Sequence, residues 1–158
     1  MLKAVLATSS HSIDAFRQQH RLIYAIALKI LRVYMTLTAM NFGRIAAILP
    51  VQDMEVAQRF YIDGLGFTKT FQNGDPVGFI ILKRDESELH LSLQPRHKAA
   101  PFPIAHLLVD DANAMYALCK QHGAKIIKGV QDKDYGLRAF VFADPHGNRI
   151  DVGQRLRV

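Results

Sequence analysis

The sequence predicts an α+β fold made of two copies of one unit: a strand, a helix and three further strands. Three observations predict it. Two apolar strands are each followed by aspartates that are placed to cap a helix. Each helix ends at a glycine and precedes stretches with the two-residue alternation of β-strands. A loop with three prolines, residues 94–103, separates the two passes, so the chain contains an internal βαβββ repeat.

The first unit begins with the apolar strand 45–51 and with Asp53, which is placed to cap a helix from Met54 to about Gly64. Three predicted strands follow, at residues 68–72, 77–83 and 88–93, joined by turns at residues 73–76 and 84–87. The second unit repeats this order. Its elements are strand 104–109, a helix from the Asp110-Asp111 cap to about Gly123, strand 124–130 and a closing hairpin at residues 135–152.

The closing hairpin is the most informative stretch. Phe140 and Phe142 alternate with smaller residues in its first strand, and residues 144–148, Asp-Pro-His-Gly-Asn, have the composition of a tight turn. The Asp144 side chain is expected to cap that turn. Asp151 lies between two apolar residues of the second strand, so it faces away from them, and an acid on a strand needs a partner. Its expected partner is Arg138, Arg149 or a bound ligand.

These residues carry a resemblance. An Arg-x-Phe strand, an Asp-Pro-x-Gly-Asn turn and an acid three positions beyond the Asn resemble the closing hairpin of the vicinal oxygen chelate superfamily. That superfamily includes glyoxalase I, extradiol dioxygenases, fosfomycin resistance enzymes and bleomycin resistance proteins. Phe60-Tyr61 before Leu65-Gly66-Phe67 is similar to the signature that ends its first helix. The resemblance implies modules at about 43–94 and 103–154, which form a curled mixed sheet around a cleft.

The resemblance also implies where a metal would bind. The superfamily's metal ligands are a His on each module's first strand and a carboxylate on the last. The matching first-strand positions are Ala46 and Ile104, which cannot bind metal. The last strands supply His90 and Asp151, and His106 lies two residues past Ile104 on the same strand face. One divalent metal ion at His90, His106 and Asp151 is therefore the alternative, for a lyase, isomerase or dioxygenase.

The bleomycin resistance branch is the closer resemblance, through the His-free strand 48–51, the strand 88–92 and residues 135–140. It implies a cytoplasmic homodimer without a cofactor, which confers antibiotic resistance by binding a bleomycin-type glycopeptide or similar small molecule in interface clefts, without catalysis. The expected ligand contacts are polar anchors and aromatic walls. They are His90, His106, Arg138, Asp151, Phe71, Phe79, Phe102, Tyr135, Phe140 and Phe142.

Composition limits the other functions. The net charge is +6, but residues 40–158 hold 15 basic and 13 acidic residues, so no basic stripe predicts nucleic-acid binding. The single cysteine, Cys119, excludes an intramolecular disulfide and favours a reducing compartment. It is expected to be a small buried residue without a His partner. His97, His122 and His146 are expected to be solvated. The chain has no Trp, which weighs against bleomycin itself as the ligand.

Residues 1–39 do not match the repeat. Their run 22–35 is apolar and helical in character, but Lys29 and Arg32 interrupt it, so no membrane span is predicted. Three explanations stay open: an amphipathic helix that docks on a partner or a membrane surface, an organellar targeting peptide, or a start codon placed too far upstream. The last is favoured, because Met40 opens a complete domain, residues 40–158.

Overall fold

The structure, a computed structural model, describes residues 2–41 and 43–157. The chain divides into two units, and the boundary along the sequence falls between Arg44 and Ile45. The second unit has the predicted α+β fold, with two βαβββ modules, and this prediction is confirmed. Each module contributes one four-stranded mixed sheet, in which the module's first strand pairs in parallel with its last.

The first unit contains one long helix, α1 (Leu2–Ala39). Its part Gln18–Ala39 has 22 residues and a mean hydropathy of 1.5, so by length and composition alone it passes as a helix that could cross a membrane. One such helix near the N-terminus is weak evidence for a span, and Lys29 and Arg32 lie within it. The proposed start at Met40 stays a prediction.

The first module has its helix and strands where the sequence predicts them. They are β1 (Ala47–Val51), α2 (Met54–Gln58), β2 (Thr68–Asn73), β3 (Phe79–Arg84) and β4 (Ser87–Leu93). The strand order is β1-β4-β3-β2, which leaves β1 at an edge, where Pro50 removes no ladder hydrogen bond from a central strand. Asp53 caps α2 by accepting a hydrogen bond from the Val56 amide at 2.9 Å, and this bond lowers the pKa of the Asp53 carboxyl.

The predicted helix 54–64 changes pitch part of the way along. Residues Arg59–Gly64 continue α2 as a π-helix, in which the Leu65 amide donates to the Phe60 carbonyl at 2.9 Å. Phe60 and Tyr61 are neighbours in sequence, yet both are buried. The wider turn therefore coincides with the burial of two adjacent aromatic rings.

The second module repeats the arrangement. Its elements are β5 (Pro103–Leu108), α3 (Ala112–Gln121), β6 (Lys125–Asp132), β7 (Leu137–Ala143) and β8 (Arg149–Arg155), in the sheet order β5-β8-β7-β6. Asp111 caps α3 by accepting hydrogen bonds from the amides of Asn113 and Ala114, each at 2.9 Å. Gly123, at a φ of 76°, ends the helix in the left-handed region.

One hydrophobic core serves both modules. It takes the inward faces of both sheets, with Leu49 and Leu91 from the first and Phe140 and Val152 from the second. Cys119 on α3 is fully buried in this core, as predicted, and burial raises the pKa of its thiol to about 12. The opposite face of each sheet, which points away from the core, is called its open face below.

Candidate functional site

The turn of the closing hairpin is a structural joint between the modules. Asp144 Oδ1 accepts hydrogen bonds from the amides of His146 and Asn148, each at 2.8 Å, as its predicted role as a turn cap requires. Its other oxygen, Oδ2, accepts from the Tyr61 hydroxyl and from Asn148 Nδ2, each at 2.9 Å. Because Tyr61 belongs to the first module, this buried carboxylate joins the two halves of the domain.

His146 contradicts the expectation of a solvated histidine. Its side chain is buried, and its Nδ1 accepts a hydrogen bond from the Gln52 amide at 3.2 Å. Asn148 adds a parallel link, because its Nδ2 also donates to the Pro50 carbonyl at 2.8 Å. The turn was expected at the surface because of its composition, but the first module covers it.

The Tyr61 hydroxyl gives a pH-dependent prediction. Burial, and next the Asp144 carboxylate, raise the pKa of Tyr61 well above its ordinary value of 10.0. The unfolded chain loses this proton near pH 10 while the folded domain keeps it, so the stability is full below that pH and falls above it. Above about pH 10 we therefore expect the Tyr61 hydroxyl to lower the free energy of unfolding by about 1.4 kcal/mol for each pH unit. Urea unfolding of the full chain between about pH 8 and pH 11 measures this effect. The free energy of unfolding should fall less steeply with pH in Tyr61→Phe than in the native chain, and equal slopes for the two proteins would contradict the prediction.

The open face of the first sheet carries a row of rings. Ile48, His90, Ile81 and Phe71 are in register across four strands, while Leu49, Ile80, Leu82 and Leu91 face the core. Phe79 lies against two of them. Its ring centroid is 6.5 Å from that of Phe71 and 5.4 Å from that of His90, both edge to face. Phe71, Phe79 and His90 form what we call the aromatic row.

A polar corner adjoins the aromatic row on the same open face. Glu88 Oε1 lies 3.0 Å from His90 Nε2, and its other oxygen lies 3.1 Å from Lys83 Nζ. The sequence interpretation named His90 but missed these two neighbours. The signal was available, because residues two apart on a strand share a face and the short turn after β3 sets Lys83 opposite Glu88.

The open face of the second sheet holds a histidine–carboxylate pair. His106 on β5 and Asp151 on β8 are partners in the parallel register, and His106 Nδ1 lies 2.8 Å from Asp151 Oδ2. Gly153 leaves room for the imidazole, since a Cβ there would lie 3.2 Å from His106 Cε1 and 3.0 Å from Leu137 Cδ1. Asp151 faces away from its apolar neighbours, as predicted, but its partner is His106 instead of an arginine.

The remaining predicted site residues are dispersed. Arg138 is engaged by Asp132, with hydrogen bonds of 2.7 and 3.1 Å that raise its pKa, and it shares the core-side face with Phe140. Arg149 donates to the Pro101 carbonyl. Two of the predicted aromatic walls, Phe140 and Phe142, are only 1% exposed and are core residues, whereas Phe102 and Tyr135 are exposed in loops.

The alternative metal set does not assemble in this chain. His106 and Asp151 meet on the second sheet, whereas His90 belongs to the first and is engaged by Glu88. Among the described residues no group of three His, Cys, Asp or Glu side chains is arranged to hold a metal ion. The residues present therefore do not fit the metal site that the superfamily pattern implies.

A cavity of about 540 Å³ lies elsewhere, between the β3–β4 turn and the start of α3. Its floor is apolar, with Phe67, Leu107 and Leu118, and Asp85 and Asp110 stand on its rim. None of the predicted ligand contacts lines it. The aromatic row and the His106–Asp151 pair are therefore surface features of the open faces, and the cavity is a separate feature.

Comparisons with known proteins identify the fold. The family model described as the Glyoxalase/Bleomycin resistance protein/Dioxygenase superfamily matches residues 41–152. The structure is similar to a bleomycin resistance determinant encoded on transposon Tn5, with 24% identity, a TM-score of 0.61, and coverage of 72% of this chain and 98% of that one. No curated protein sequence matches the chain.

Two further solved structures are similar. A bleomycin-binding protein complexed with bleomycin has 24% identity and a TM-score of 0.61, with 72% of this chain and 99% of that chain covered. A superfamily member from Sphaerobacter thermophilus DSM 20745 has 22% identity and a TM-score of 0.59, with 72% and 98% covered. At these identities the likeness establishes the shared fold.

Proposed function

The chain belongs to the glyoxalase/bleomycin resistance protein/dioxygenase superfamily, and from this premise we propose that it is a small-molecule binding protein of the bleomycin resistance type. It would sequester an antibiotic or a similar ligand, without altering it, in clefts at the interface of a cytoplasmic homodimer. The observation that carries the proposal is the aromatic row on the open face of the first sheet. An apolar, aromatic surface with few polar anchors suits the binding of an aromatic ligand.

The aromatic row has the exposure that a ligand needs. Phe71 is 50% exposed, and Ile48, in the same cross-strand register, is 60% exposed. Large apolar side chains at this exposure form a surface that is usually covered by a partner or a ligand. Glu88, Lys83 and the His90 imidazole stand beside them and would orient polar groups of the ligand.

The His106–Asp151 pair supplies a second anchor. The Asp151 carboxylate holds Nδ1 of the imidazole, which leaves Nε2 to meet a ligand group. Both side chains are accessible, at 44% and 31% of their surface. Binding requires only this fixed hydrogen-bonding group and no titrating catalyst.

Homodimerisation would close the clefts. The open face of each sheet exposes apolar side chains, with Ile48 on the first and Leu108, 49% exposed, on the second. A second copy placed against these faces would cover that surface and turn open faces into clefts. Ultracentrifugation of the full chain should give twice the mass of 17.8 kDa.

Calorimetric titration of the full chain with a bleomycin-group drug tests the proposal, on protein whose metal content has been assayed. We expect saturable binding of about one drug per subunit, as in a two-cleft dimer, with the drug recovered unchanged. Chemical alteration of the drug would establish the enzyme alternative. Absence of heat, repeated with other aromatic antibiotics, would contradict antibiotic sequestration.

A further inference from the structure

The exposed half of α1 carries a pattern that the ligand-binding domain does not explain. Seven residues follow one another at steps of three or four, so they form one line along the helix. They are Gln18, Arg21, Ala25, Lys29, Arg32, Thr36 and Ala39. At 100° per residue they occupy an arc of about 80°. We call this line the cationic stripe, and it contains every charged residue between positions 18 and 39.

The rest of this helical surface is apolar and uncovered. From Leu22 to Leu37, every residue outside the cationic stripe is apolar or a tyrosine, and the large ones among them are between 49% and 68% exposed. A helix in a protein groove buries a narrower apolar face than this. Here the apolar residues span most of the helix circumference, so whatever covers them must contact the helix on several sides.

The charge of the helix indicates what covers this apolar surface. Arg21, Lys29 and Arg32 lie on the stripe, and no Asp or Glu occurs between residues 15 and 52. We propose that this helix lies in the surface of an anionic lipid bilayer, with its apolar arc in the acyl region and the cationic stripe against phospholipid headgroups. The unit Ile45–Val158 would thereby be held at the membrane.

The two threonines near the end of the helix agree with this placement. Thr38 lies outside the stripe, and its hydroxyl donates to the Tyr34 carbonyl at 3.0 Å. Thr36 likewise donates to the Arg32 carbonyl at 2.8 Å. These hydroxyls find their acceptors within the helix, which lowers the cost of moving them out of water.

Vesicle co-sedimentation of the full chain tests the proposal. The probes are vesicles of phosphatidylcholine alone and vesicles of equal parts phosphatidylcholine and phosphatidylglycerol. Each Lys or Arg near an anionic surface raises the affinity about fivefold. The three cations of the stripe should therefore make binding to the anionic vesicles about 100-fold tighter than binding to phosphatidylcholine alone. Lys29→Gln with Arg32→Gln should reduce that preference to about fivefold. Equal binding to both vesicles, or to neither, would overturn the proposal.

Two matched double variants test the orientation without changing the net charge. Ile23→Gln with Ile30→Gln places glutamines at the centre of the apolar arc and should weaken anionic-vesicle binding by about 100-fold. Ala25→Gln with Thr36→Gln places them on the cationic stripe and should leave binding nearly unchanged. Circular dichroism checks that both stay helical, as glutamine's propensity allows. Equal loss in both variants, or lipid-independent pelleting through contact with another protein surface, would contradict the bilayer orientation.

Discussion

Replacing Asp144 with alanine is expected to destabilise the domain by about 4 kcal/mol, because its buried carboxylate accepts four hydrogen bonds. Truncation leaves the Tyr61 hydroxyl and the amides of His146 and Asn148 without their acceptor. It also removes the Tyr61–Asp144 hydrogen bond that joins the turn to the first module. Urea unfolding of the full chain at neutral pH measures the change.

Two variants sharpen this test. Asp144→Asn keeps the volume and one acceptor oxygen but presents an amide group to donors, so its stability should fall between those of the native chain and Asp144→Ala. Asp132→Ala removes an exposed carboxylate that is paired with Arg138 and should barely move the unfolding midpoint. If the alanine variants at 144 and 132 unfolded at the same urea concentration, the turn would not be a structural joint.

Phe79→Ala is expected to weaken ligand binding by about 30-fold, on the premise that the aromatic row is the binding surface. The ring of Phe79 lies between those of Phe71 and His90, so its removal opens a gap in the middle of the row. Titration of the variant with the ligand that binds the native chain gives the affinity ratio. Phe79→Leu, which keeps apolar volume without the ring, should lose less.

Phe102→Ala is the matched control, because it makes the same truncation at an exposed residue before β5. We expect less than about a threefold change in affinity from it. Equal losses at positions 79 and 102 would mean that the ligand does not depend on the aromatic row. Unfolding measurements on both variants separate lost affinity from lost folding.

The fold was predictable because each signal was local. Helix caps at Asp53 and Asp111, glycines after the helices and two-residue alternation all act within a few residues of the chain. These signals predicted both modules and most strand limits to within two or three residues. The π-helical end of α2 was not predictable in this way, since it accompanies the burial of Phe60 and Tyr61 in a core that both modules share.

The site was predicted less completely, for a physical reason. Alternation indicates that Phe140 and Phe142 share a face but not which face meets the core, because Ala139 and Val141 on the other face are apolar too. The partner of Asp151 depends on the parallel register of β5 with β8, across more than 40 residues of chain. His146 is buried through contact with the other module, which its own turn composition could not reveal.

The links at the closing hairpin affect how the two modules depend on each other. The Tyr61 hydroxyl, the Gln52 amide and the Pro50 carbonyl in one half each form a hydrogen bond with residues 144–148 of the other half. A protease cut in the exposed connection 94–102 would therefore leave two fragments that remain associated, since each completes the polar groups and the core of the other. One copy of the duplicated unit is thus not an autonomous folding unit. The two copies depend on each other for stability, whether or not the linker between them is intact.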